Sequence, residues 1–311
     1  MFILESEVNM AEMIMDQEIE DWEGWDVHGF CQVYSVKDII FKAIEEVDDL
    51  YKNKDGRNQD TIKTGISWLE FEKDDLIVLG ARPYIGKTSF LLSLISKMIQ
   101  EEKLSVGLIN PGIADNTEMG IRLLALNSEV PLAKIRSGML KPEDVKKIQD
   151  AGSELFDSKF YIYNEPNVCF NDLKNTVLWL SKEKHIQILF IDGFEYIKEA
   201  EEADDKTCST RLMYLLCELK HLAEDLHIPI VITVDLPAAK NEEPSIRDFK
   251  KTMIIPDRAD KVLFLHMGLL PEEKYCQDAK LIIAKSRAGC GCYFGIKYYP
   301  SICKFTEGGE E

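Results

Sequence analysis

The sequence predicts an α/β fold: a mostly parallel sheet with helices on both faces, preceded by an amphipathic helix. Three observations carry this. Short apolar runs recur along the chain and mostly lack polar–apolar alternation, which is how strands buried on both faces read. Segments of helical period fill the gaps between them, the order expected of a parallel α/β sheet. Finally, 311 residues at 45% hydrophobic and 30% charged suit a globular domain with a full core.

The expected strands, in order, are Leu76–Gly80, Ser105–Ile109, Phe160–Tyr163, Ile186–Asp192, Ile228–Asp235, Val262–His266 and Leu281–Lys285. Expected helices are Lys87–Gln100, Pro142–Ala151, Asp172–Glu183 and Thr207–Leu226. Residues Cys292–Phe305 read as a β-hairpin at the sheet edge. Three segments follow from this: an acidic tail at 1–34, a linker helix and connection at 35–60, and the main domain at 61–311. In the second, Val36, Ile39, Ile40, Ala43, Ile44, Val47, Leu50 and Tyr51 fall on one helical face. Ser35 and Asp38 suggest a capping box, and Asn53 to Gly56 supplies a stop. The stripe needs a partner, either its own domain or a neighbouring subunit.

The formal net charge is −18, and the excess is concentrated near the amino terminus; residues 1–34 contain no Lys or Arg. A global basic footprint for nucleic acid is therefore excluded, so contacts with DNA would have to be local. No apolar run reaches the roughly 18–20 residues that span a bilayer. The start, Met1 to Glu7, has no basic region before its apolar residues, so no secretory signal is expected. Eight irregularly spaced cysteines then read as reduced thiols in a cytoplasmic protein. Cys290 and Cys292, with Cys276 and Cys303, lack the paired Cys-x-x-Cys spacing of a zinc site.

The most specific motif runs from Ala81 to Ser89: Ala81, Arg82, Pro83, Tyr84, Ile85, Gly86, Lys87, Thr88, Ser89. It lies between an apolar strand and a helical pattern, the context a phosphate-binding loop requires. Backbone N–H groups of such a loop and of the helix N-terminus surround anionic phosphates. Lys87 supplies a cation to the terminal phosphates, and Thr88 offers a hydroxyl to Mg²⁺. The strict motif has Gly first; here Ala81 stands there, with Gly80 just before it. Further on, the strand Ile186–Asp192 ends in a carboxylate, the arrangement by which Asp192 would hold the Mg²⁺ of bound ATP.

With these motifs, the chain resembles the ATPase domain of DnaB-type replicative DNA helicases, a hexameric branch of the RecA-like P-loop proteins. The loop 80–88 has the family's Gly-Ala-Arg-Pro form. Arg122–Ala125, Ile135–Gly138, Phe160–Tyr163, Arg258–Leu265 and Leu281–Arg287 follow in the family's order, and the likeness covers roughly residues 36–306. The resemblance implies a RecA-like fold and an ATP- and Mg²⁺-dependent motor on single-stranded DNA, assembled as a ring-shaped homo-oligomer, a hexamer. It implies primase or a helicase loader as further partners, and no membrane. It places Lys285 and Arg287 as the pair that reaches a neighbour's γ-phosphate, and it makes 36–52 a linker helix docked on the adjacent subunit. The amino-terminal domain that binds primase in full-length members is not expected here; an acidic segment of 34 residues stands in its place.

The departures point to a second reading, a degenerate nucleotide-binding paralogue with a structural or regulatory role. The family's glutamate after the second strand falls on Gly112 or Ile113, and Asp115 and Glu118 are the nearest carboxylates. Losing a general base typically costs about 10²–10⁴ in rate. Asp235 replaces the family's phosphate-sensing Gln, where an anion repels phosphate unless Mg²⁺ or a Lys intervenes. In the DNA-facing loop, Lys250 and Lys251 remain as candidate contacts with a phosphate backbone.

Overall fold

The computed structural model describes residues 35–52, 61–112, 115–201, 208–238, 242–252, 254–268, 275–287, 289 and 291–308. The chain divides into two compact units, Met1–Thr61 and Ile62–Glu311. In the first unit α1 (Val36–Lys52) is a regular helix, and its apolar residues Val36, Ile39, Ile40 and Val47 are exposed.

The second unit is organised by strand β3 (Leu76–Ala81), which is buried along its whole length. It pairs in parallel with β7 (Ile230–Asp235) on one side and β8 (Lys261–Met267) on the other. Beyond β7, the parallel strands continue through β6 (Ile188–Ile191) and β4 (Val106–Ile109) to β5 (Phe160–Tyr163). Beyond β8 the sheet turns antiparallel through β9 (Gln277–Lys285), β10 (Cys292–Tyr299) and β11 (Lys304–Glu307). Nine strands thus form one mixed, mostly parallel sheet.

The lack of alternation in β3 has a direct structural cause. Leu76 and Val78 face a core shared with α6 (Phe170–Lys184) and α7 (Cys208–Leu226). Ile77, Leu79 and Ala81 face the opposite core, built on α2 (Lys87–Gln100) and α3 (Asn116–Ser128). Every side chain of the strand leaves water, so every position is apolar or small. Gly80 is small for a local reason: a Cβ there would come within 2.9 Å of the Phe264 ring, itself fully buried.

All seven expected strands are present, with ends shifted by a few residues, and the edge hairpin is β10–β11. Three features depart from the sequence expectation. Residues 61–72 form a separate hairpin, β1 (Thr61–Ile66) and β2 (Leu69–Glu72), where the sequence predicts no strand before Leu76. Its turn residue Trp68 stacks on Phe294 with ring centroids 3.9 Å apart, which ties it to β10. Helix α3 and the short α4 (Leu132–Ser137) are additions to the expected set; α5 (Pro142–Phe156) runs one turn longer than expected.

Candidate nucleotide site

In a parallel sheet, ligands collect at the carboxyl ends of the strands, and the residues of interest gather there. The chain leaves β3 at Ala81 and enters α2 at Lys87. Between them Tyr84 and Gly86 take left-handed backbone angles, φ 67° and 93°, and so wrap the loop back on itself. The first turn of α2 holds no acidic residue and no side chain caps it, which leaves the positive end of the helix dipole uncompensated. The loop rests on the edge hairpin: a Cβ at Gly86 would sit 3.5 Å from Phe305 and 3.6 Å from Tyr298.

Asp192 lies one residue past β6 and is buried. Thr88 Oγ1 donates to its Oδ2 at 2.6 Å, and Thr233 Oγ1 donates to its Oδ1 at 2.8 Å. Thr233 in turn accepts from the backbone N–H of Gly193 at 2.7 Å. The carboxylate is thus held in one orientation from β7 and from α2. A hydroxyl and a carboxylate at this separation are hard oxygen donors that suit Mg²⁺, which keeps several waters and takes few protein ligands.

Lys87 is largely buried and forms an ion pair with Asp235, at the end of β7. Burial pushes its ammonium below the ordinary lysine value, while Glu195 and Asp192 pull it back up. Arg82 behaves differently from its loop neighbours. Its buried guanidinium donates to the carbonyl of Pro237 and pairs with Asp248 at 3.3 Å, so it ties the loop to the segment 237–248. Any phosphate contact from position 82 falls to the backbone. The ring of Tyr84 is fully exposed.

Lys285 and Arg287 are not brought to this crevice. Lys285 sits opposite Val262 in the β8–β9 ladder, at the start of β8, whereas the loop follows the far end of β3. It donates to the carbonyls of Pro256 (2.8 Å) and Asp257 (3.2 Å), while Arg287 pairs with buried Asp260. Both line a cavity of about 350 Å³ with Lys220, His221, Asp257 and Asp260. The site near Lys87 and this pair therefore lie at opposite ends of neighbouring strands, the carboxyl end of β3 and the amino end of β8.

The other carboxylates considered from the sequence are engaged elsewhere. Asp115 caps α3, accepting from the N–H groups of Thr117 and Glu118, and Glu118 binds Arg122 and Arg136. Gly112 has no side chain, and a Cβ there would meet the Tyr196 ring at 2.9 Å. Lys250 and Lys251 belong to a 3-10 segment, Ile246–Thr252, anchored by buried Phe249; their side chains lie outside the described residues.

Two groups escaped the sequence reading. One is Thr233, an ordinary β-branched strand residue until the fold sets it against Asp192. The other is Glu195, in the 3-10 turn Phe194–Tyr196, with both carboxylate oxygens buried and, among the described residues, without a partner on any other residue. Burial pushes its carboxyl above the ordinary glutamate value, opposed by Lys87.

Residues 62–307 match the DnaB-like helicase C terminal domain. The chain belongs to the DnaB-like helicase family. The replicative DNA helicase DnaB of Treponema pallidum (strain Nichols) is 29% identical over 279 residues, which cover 87% of this chain and 61% of that protein. DnaB of Geobacillus stearothermophilus is 25% identical over 270 residues, 82% of this chain and 58% of the relative. The chain thus spans about three fifths of the length of these curated relatives.

Among solved structures, an isolated ATPase domain superposes with a TM-score of 0.73 at 18% identity, covering 89% of this chain and 99% of that one. A DnaB-like replicative helicase, solved in a study of its interactions with primase, gives 0.76 at 19% identity, covering 88% and 67%. The fold of this DnaB-like chain is accordingly the RecA-like ATPase fold. Among its described residues no helix is long and apolar enough to cross a membrane.

Proposed function

We propose that this DnaB-like chain is an ATP-dependent motor acting on single-stranded DNA during replication in the cytoplasm, as a ring-shaped homo-oligomer, a hexamer. The observation that carries the reading is the 2.6 Å hydrogen bond between Thr88 and Asp192, beside a loop whose helix end is open to anions. Lys87 balances charge on the terminal phosphates. Thr88 and Asp192 hold Mg²⁺, which neutralises phosphate oxygens when bound. The backbone of 81–89 cradles the rest. Lys250 and Lys251 supply DNA contacts, and primase or a loader remains a partner class for the ring.

The position of Lys285 and Arg287 supports the ring. At the opposite strand ends from their own loop, they serve a nucleotide only on another copy. Arg287 suits that task because its planar fork stabilises charge spread over phosphate oxygens. Helix α1, with its exposed apolar residues, is the proposed docking element between copies.

The second reading, a nucleotide-binding paralogue that hydrolyses little, is favoured by glycine at position 112 and by the carboxylate of Asp235 on Lys87. Mixing variants tests the shared site. Lys87→Ala and Arg287→Ala are each expected to lack turnover alone, and a mixture to recover part of it. Wild-type turnover by Arg287→Ala alone would refute the completion of the site by a second copy.

A further inference from the structure

The crevice lacks a side chain at position 112, yet it does not lack a buried carboxylate. We infer that Glu195 is the group that takes the proton from the attacking water in ATP hydrolysis, an inference that rests on the ATPase reading above. Four features of the structure lead there.

The first is burial without a partner. Both oxygens of Glu195 are shielded from solvent and, among the described residues, accept no hydrogen bond from another residue. A carboxylate so placed costs several kcal/mol unless something compensates it, and a buried orphan group in a native fold calls for an explanation, such as a catalytic role or a bound water. The second is location. Glu195 stands three residues past Asp192 and exchanges electrostatic influence with both Lys87 and Asp192.

The third is the backbone that delivers it. Gly193, at φ 102°, turns the chain sharply after β6, and its N–H is fixed by Thr233. A Cβ at Gly193 would lie 2.6 Å from the Tyr196 ring. The turn thus depends on glycine, and it is anchored to the same hydroxyl that orients Asp192.

The fourth is reciprocity with position 112. The Tyr196 ring fills the space into which a side chain at 112 would project. One turn therefore fills the space beside Gly112, one of the two positions matched to the family's glutamate, and supplies a carboxylate of its own. Near the paired strand ends Ile109 and Ile191, Asn110 Nδ2 is a second buried group without a partner among the described residues, a donor where Glu195 is an acceptor. A water molecule needs one of each.

In the step itself, the water oxygen bonds to the γ-phosphorus as the bond from that phosphorus to the β–γ bridging oxygen breaks. ADP leaves with the bridging oxygen. The proton lost by water goes to Glu195 and then to the departing phosphate, which restores the carboxylate. Burial raises the carboxyl towards the range that suits a base, and the cation of Lys87 favours its ionised form.

The test compares wild type with Glu195→Gln, which keeps shape and burial but removes the base, and with Glu195→Asp as a second variant. Three quantities are read: affinity for a non-hydrolysable fluorescent ATP analogue with Mg²⁺, phosphate release, and the identity of the nucleotide recovered from the protein after incubation with ATP. Expected for Glu195→Gln are analogue affinity within about 3-fold of wild type, phosphate release down by about 10²–10⁴, and retained ATP in place of ADP. Glu195→Asp is expected to recover part of the lost rate, and it decides the matter if Glu195→Gln does not fold. Wild-type phosphate release by Glu195→Gln, or a Glu195→Asp variant no faster than Glu195→Gln, overturns the assignment alone. Wild type that binds the analogue without releasing phosphate overturns it too, while wild type that does not bind the analogue overturns the ATPase reading beneath it.

Discussion

Lys87 of the phosphate loop is ion-paired with Asp235, the last residue of the neighbouring strand β7. The cation expected to meet ATP already has a carboxylate partner, so phosphate binding has to displace it or share it. Asp235 is well exposed, and water screens its side of the pair. An exposed or half-exposed pair is worth about 0.2–1 kcal/mol, so Asp235→Asn should tighten ATP binding by about 1.4- to 5-fold. Equilibrium titration with a fluorescent ATP analogue checks this. Weaker binding by the variant would mean that Asp235 assists the nucleotide, for instance through the metal.

Thr233 couples three elements by receiving the Gly193 N–H and donating to Asp192, whose other oxygen is held by Thr88. Thr233→Val keeps the volume but leaves two buried groups unsatisfied, at a cost of about 1–3 kcal/mol in unfolding free energy. Groups that orient a metal ligand typically contribute about 10–100-fold to metal affinity, so the Mg²⁺ requirement for nucleotide binding should rise on that scale. Denaturant melts and Mg²⁺ titrations read the two effects separately. An unchanged Mg²⁺ dependence in a folded variant would remove Asp192 from the metal role.

Asp75 gives a pH signature remote from the nucleotide crevice. Burial, then the nearby carboxylates of Asp260 and Glu72, push it up to about 6, against a usual 3.8. The folded protein therefore holds this proton more tightly than the unfolded chain does. Stability from this group is full below about pH 3.8 and is lost as pH rises through about 6. Asp75→Asn should match wild type near pH 4 and exceed it at pH 8, with the gap opening between. Denaturant unfolding at several pH values tests this; a gap independent of pH would contradict it.

Much of the fold was legible because its physics is local in sequence. Strands buried on both faces must be apolar at every position, as β3 is, and the loop between Ala81 and Lys87 has a spacing set by phosphate geometry. The β1–β2 hairpin was not legible, because Thr61–Ile66 alternates small, polar and apolar residues and is secured by a distant partner, the stack of Trp68 on Phe294. Helix α3 was hidden by its weak amphipathicity: its buried residues are scattered among polar ones. At the site, Lys87, Thr88 and Asp192 stood out by motif. Glu195 did not, because its meaning comes from a glycine turn, a burial state and an empty position 112 that converge only in three dimensions. Arg82 reads as part of a phosphate loop, yet its side chain faces Pro237 and Asp248.

The proposal that these residues form a working motor is tested most directly by ATP turnover of the purified protein with and without single-stranded DNA, beside Lys87→Ala. The account predicts turnover that DNA stimulates and that Lys87→Ala abolishes. Nucleotide binding without turnover dependent on Lys87, in the presence of DNA, would contradict it.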